Sequence, residues 1–209
     1  MSYKTILKIA SAEIVEKKSR FIGAAFPIES SEEANEYISA VKKEHFSARH
    51  NCYAYRLRDG TERYSDDGEP QKTAGLPMLD MLKKEDITDV LVVVTRYFGG
   101  VLLGTGGLVR AYTAASQEAV YASQIVLMTD FCVYNIVVEY QYFERIKLLI
   151  EEFEGQIEET NFSENIKIAI CVKPEKKAQI DKKIIELTAG KAIIDTDIFY
   201  KFKPEIIKK

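Results

Sequence analysis

Gly99, Gly100, Gly104, Gly106 and Gly107 follow directly on the β-branched run Val90–Thr95, and Arg96 and Arg110 flank them. A backbone without Cβ atoms between a buried strand and a helix start lets main-chain N–H groups approach an anion, so the chemistry suggested is phosphate binding. Two familiar phosphate motifs fail. Gly99 to Gly104 has the spacing of a P-loop, but Thr105 stands where a Lys should reach the phosphates. Gly104-Thr105-Gly106 begins like a dinucleotide fingerprint, but Val109 occupies the place of its third glycine. A glycine-rich turn that lets a helix pack tightly on a sheet explains the same residues without a ligand.

His50, beside Arg49, is the better of two histidines for acid–base work, provided it meets the acidic turn Asp66-Asp67-Gly68-Glu69-Pro70. A His50 that merely hydrogen-bonds a turn is the simpler alternative, and His45 suits a helix C-terminus. Asp66, Asp67 and Glu69 could offer oxygen ligands to a divalent cation, yet acidic turn residues are common for conformational reasons, and no metal is expected. Cys52, Cys132 and Cys171 are odd in number and lack C-x-x-C spacing, which excludes a disulfide framework and a zinc site of the usual kind. Cys52, among apolar neighbours, reads as a buried, inert thiol. Tyr53, Tyr55, Tyr64, Tyr97 and Tyr112 could form a stacking surface with Arg49, Arg56, Arg58 and Arg63, or belong to the core.

The elements that must position these residues follow from periodicity. Short strands are expected at Thr5–Ala10, Glu13–Lys17 and Arg20–Pro27. Ser30 with Glu33 forms a capping box for a helix ending near His45, with Ala34, Tyr37, Ile38 and Val41 as its buried stripe. Asn51–Arg58 and Thr61–Ser65 make a hairpin across Asp59-Gly60. Thr73–Lys84 is a helix with Pro77 in its first turn, and Asp89–Thr95 is the strand before the glycines. After Tyr121 the order becomes strand Phe131–Tyr140, helix Tyr142–Phe153, hairpin Gln156–Phe162 with Ile166–Lys173, a helix from Pro174 to Gly190, and strand Lys191–Phe202. That β-α-β-β-α-β order is the ferredoxin-like unit. The reading is an α+β chain of two domains, 1–125 and 130–209, joined near Ala122 to Asp130, with Lys208-Lys209 as a frayed end.

Composition narrows the function. With 209 residues, 46% hydrophobic, each domain can hold a core. A net charge of −3, spread evenly along the chain, means that nucleic-acid binding must come from a local patch. No apolar run approaches a membrane span and no export signal opens the chain, so a cytoplasmic protein without membrane contact is expected.

Taken together, Arg20-Phe21-Ile22, His50, SDDGEP at Ser65–Pro70, TAGLPML at Thr73–Leu79 and VVTRYFGGVLLGTGGLVRAY ending at Tyr112 resemble the Impact family in its bacterial, YigZ-like form. Lys72 and Thr113 depart from the family's usual glycines. The resemblance implies an N-terminal domain with the βαβ fold shared by elongation factor G domain IV and the GHMP kinases. It implies a C-terminal domain similar to elongation factor G domains III and V. Eukaryotic relatives are translational regulators that compete for a ribosome-associated activator of a stress-responsive kinase through an extra N-terminal module, so that partner is not expected here.

The expected binding surface comprises His50, Asp66, Asp67, Glu69, Arg96, Tyr97, Gly99, Gly100, Gly104, Gly106, Gly107 and Arg110, with no catalytic residue, metal or cofactor. The leading expectation is a non-enzymatic protein that binds RNA or the ribosome and is linked to regulation of translation. A nucleotide- or phosphometabolite-binding enzyme and a protein-interaction module remain open. The sequence does not fix the oligomeric state.

Overall fold

The computed structural model describes residues 2–206, with side chains through 204, so the expected frayed end Lys208-Lys209 lies outside the described residues. The chain divides into two compact units, one of residues 3–128 together with residues 204–206, the other of residues 129–203.

The N-terminal unit contains Tyr3–Ile6 (β1), Ala10–Glu16 (β2), Ser19–Pro27 (β3), Ser31–Glu44 (α1), His50–Arg56 (β4), Glu62–Ser65 (β5), Gly75–Lys84 (α2), Val90–Tyr97 (β6) and Thr105–Ala122 (α3). Its five-stranded sheet has the order β2-β3-β6-β4-β5, every neighbouring pair antiparallel. Because β3 and β4 both run antiparallel to β6, they are parallel to each other, with α1 as the crossover; β5, α2 and β6 repeat the arrangement around β4. The βαβ units are therefore split ones. Val90, Val92 and Val94 pack with α2 and α3, while Leu91 and Val93 pack with α1. Cover on both faces is why β6 is continuously apolar rather than alternating. Half of the expected capping box forms at α1: Ser30 Oγ accepts from the Glu33 N–H at 3.2 Å, while the Glu33 carboxylate accepts at 2.7 Å from the N–H of Glu29, one residue before the cap, rather than from that of Ser30.

Ile125–Val138 (β7) is a single strand of 14 residues. A strand at Phe131–Tyr140 is what local pattern suggests; instead β7 begins at Ile125, and Tyr140–Tyr142 forms a 3-10 turn. The reason is non-local: Ile125–Met128 pair antiparallel with Tyr3–Ile6. The C-terminal unit continues with Phe143–Glu152 (α4), Gln156–Phe162 (β8), Ile166–Val172 (β9), Pro174–Leu187 (α5), Ile193–Ile194 (β10) and Phe199–Ile206 (β11), the last of which leaves the unit after Lys203. Strand order β8-β9-β7, with β10 and β11 both on β7, is the ferredoxin-like arrangement, its last strand broken in two. Ile136, Ile168 and Ile170 of the sheet and Ile146, Ile150, Ile180 and Ile184 of the helices form its core. No helix among the described residues is long and apolar enough to cross a membrane.

Candidate binding cleft

The antiparallel register of β4 on β6 sets His50 opposite Arg96, two residues 46 positions apart in sequence. The turn after β5 folds over this pair, and each of its acidic side chains has a separate task. Asp66 accepts from the N–H groups of Lys72 (2.8 Å), Ala74 (3.0 Å) and Gly75 (2.8 Å), capping α2, which has no side-chain cap from Ala74. Asp67 accepts from the Asn51 N–H and from Lys42 Nζ, each at 2.7 Å. Glu69 Oε1 accepts from Arg96 Nη1 at 2.6 Å and from the Tyr112 hydroxyl at 2.8 Å.

Glu69 and Arg96 form a buried ion pair, their side chains 4% and 7% exposed. The Arg96 guanidinium lies over the rings of Phe21 and Phe98, and its Nε has no hydrogen-bond partner among the described residues. The Cys52 thiol donates to the Asp66 carbonyl at 3.0 Å. Burial pushes that thiol far above its ordinary range, and burial followed by the nearby Cys52 does the same to the Tyr112 phenol. Neither is ionised at neutral pH, so neither can serve there as a nucleophile or base.

His50 Nδ1 lies 2.8 Å from the Asp67 carbonyl, and its Nε2 lies 3.9 Å from Glu69 Oε1. Above this floor opens a cleft of about 380 Å³ lined by Arg49, His50, Glu69, Arg96, Phe98, Leu102, Leu103, Gly104, Thr105 and Leu108, among others. Arg49 is exposed and has no partner among the described residues. The N-terminus of α3 opens here: Gly104 is its cap at φ +75°, no side chain caps it, and no acidic residue stands in its first turn. Phe98 is 43% exposed and Leu102 81%.

The residues expected to bind separate by position. His50, Glu69, Arg96 and Gly104 line the cleft. Asp66 and Asp67 shape the turn from outside it, and Gly106 and Gly107 form the first turn of α3. Gly99 is a close-packing position: a Cβ there would lie 2.0 Å from the Lys18 carbonyl carbon. Tyr97, Gly100 and Arg110 stand apart from the lining; the Tyr97 hydroxyl is 3.0 Å from His45 Nδ1, Gly100 is exposed at φ +84°, and Arg110 is exposed. A shared anion site between Arg96 and Arg110 therefore does not form, because Arg96 is buried against Glu69. Nor do the five tyrosines form one stacking surface, since Tyr55 and Tyr112 are in the core. Tyr112 continues the helical stripe of Leu108, Ala111 and Ala115, a core signal readable from spacing. Phe98, Leu102 and Leu103 are cleft residues that sequence reasoning missed, since loop apolar residues carry no periodicity; Leu108 reaches the cleft from the buried stripe of α3. Among the described residues no group of three or more His, Cys, Asp or Glu side chains is arranged to hold a metal ion.

Comparison with known proteins gives a consistent result. The Impact N-terminal domain matches residues 17–120, and a domain of unknown function, DUF1949, matches residues 136–191. The chain is 37% identical over 195 residues to IMPACT family member YvyE of Bacillus subtilis, covering 92% of this chain and 90% of that protein. It is 32% identical over 191 residues to IMPACT family member YigZ of Escherichia coli, covering 88% and 94%. Protein IMPACT homolog of Dictyostelium discoideum is 40% identical over 97 residues, 44% of this chain and 28% of that protein. A crystal structure of a hypothetical protein is similar with a TM-score of 0.59 and 29% identity, covering 94% of this chain and 98% of that one.

Proposed function

The chain belongs to the Impact family, and from that premise we propose that it is a binding protein for single-stranded RNA acting around translation, with the N-terminal cleft as its site. The observation that carries this reading is the uncapped N-terminus of α3 opening into the same cleft as Arg49, which has no partner among the described residues. Main-chain N–H groups with no acceptor and an unpaired cation both call for phosphate oxygens. Phe98 and Leu102 add exposed apolar surface on which a base can stack. The attraction is local, which fits a chain of net charge −3.

The test is fluorescence anisotropy of a short labelled RNA at about 50 and 200 mM salt. Binding is expected at low salt and should weaken as salt rises. Arg49→Ala should weaken it about tenfold, the scale of one charge-assisted contact, without shifting the melting temperature. Absence of binding at low salt, or an Arg49→Ala variant that binds as well as the wild type, overturns the proposal. The cleft volume favours a second reading, because about 380 Å³ lies within the range of small-molecule sites. Saturable binding of nucleotides without binding of RNA would favour that enzyme-like reading.

A further inference from the structure

The cleft is rich in donors. Arg49 can only donate, and so can the free N–H groups at the start of α3. Phosphate oxygens answer all of these, and RNA and DNA supply them equally. His50 is different. The Asp67 carbonyl can only accept, so the proton of the 2.8 Å contact belongs to His50 Nδ1. In the neutral ring this leaves Nε2 with a lone pair and no proton.

Glu69 does not use that lone pair. Its Oε1 is 3.9 Å away, beyond hydrogen-bond range, and already accepts from Arg96 Nη1 and the Tyr112 hydroxyl. Two acceptors therefore face each other with no hydrogen bond between them, and His50 lines the cleft with its side chain 13% exposed.

On the reading that RNA occupies this cleft, we propose that His50 Nε2 accepts a hydrogen bond from a ribose 2′-hydroxyl and thereby makes the site selective for RNA over DNA. The sugar hydroxyl is the donor that distinguishes the two polymers. Asp67 is then a positioning residue: its carbonyl fixes the tautomer, and its carboxylate, held by the Asn51 N–H and Lys42, fixes the turn that carries that carbonyl.

The test compares three labelled strands of one sequence, namely RNA, DNA and 2′-O-methyl RNA, on the full chain at low salt. The methyl group removes the donor and keeps every phosphate. RNA should bind about fivefold more tightly than either of the others, the scale of one neutral hydrogen bond. His50→Ala should bind all three alike, with an affinity near that of wild type for DNA. If wild type binds RNA and 2′-O-methyl RNA within twofold of each other, or if His50→Ala keeps the discrimination, the inference is overturned while nucleic-acid binding stands. If no strand binds, the proposed function fails and this inference with it. Should His50→Ala fail to fold, the methylated strand on the wild type still decides.

Discussion

Arg96 and Arg110 look alike in the sequence, each beside the glycine-rich loop, yet one is buried in an ion pair and the other exposed. What separates them is the register that sets β6 against β3 and β4 and turns Arg96 toward Glu69, a relation between distant residues that local spacing does not carry. Arg96→Ala leaves the Glu69 carboxylate buried without its cation and should cost about 3–5 kcal/mol in urea denaturation, whereas Arg110→Ala should stay within about 0.5 kcal/mol. Equal effects of the two would contradict the assignment of the pair. Lys72 gives the opposite sign. It holds φ +61°, a left-handed conformation that glycine adopts without strain, while its N–H caps into Asp66. Relief of the left-handed strain should make Lys72→Gly about 0.5–1 kcal/mol more stable, and a lower melting temperature for that variant would refute it.

Elements were legible wherever their own sequence carried the signal. The Ser30 cap, the Asp59-Gly60 hairpin and the Pro174 helix start all rest on local chemistry, and each forms where spacing puts it. What the sequence does not carry is how one element approaches another. Gly23 in β3 reads as a simple strand residue, but α3 crosses it so closely that a Cβ would lie 2.3 Å from the Ala115 carbonyl oxygen. Gly23→Ala must push α3 from the sheet and should cost about 2–3 kcal/mol, measured by denaturation; a neutral result would mean the helix yields freely. The last strand offers a pH-dependent counterpart. Lys201 and Lys203 of β11 hydrogen-bond Glu158 of β8 and hold its carboxyl down at about 2. A depressed carboxylate stabilises the fold above its ordinary value of 4.5, and that contribution fades as pH falls through about 2. Stability should therefore decline between these values, and Glu158→Gln should flatten that part of the profile.

At the scale of the whole chain, the cleft is assembled from segments between Arg49 and Leu108, all within the N-terminal unit. Their residue types were legible singly; their convergence was not, because it depends on sheet order. The same limit applies to the division of the chain. A joint near residues 122–130 follows from the change of pattern after Tyr121, but Ile125–Met128 are strand residues of the first unit, paired with Tyr3–Ile6. Val126 is fully buried and its register partner Thr5 is 7% exposed, while Ile6, paired with Ile125, joins the main core at 2%. A fragment of residues 1–128 keeps this pairing and should melt cooperatively by circular dichroism. A fragment of residues 1–123 loses both the partner of β1 and the burial of Val126. The lost side chain alone accounts for about 1.5–3 kcal/mol, with the unpaired β1 adding to it, so the shorter fragment should melt several degrees lower. Identical melts for the two fragments would show that β1 and the start of β7 contribute nothing to the first unit. An unfolded 1–128 fragment would show that this unit depends on residues beyond Met128.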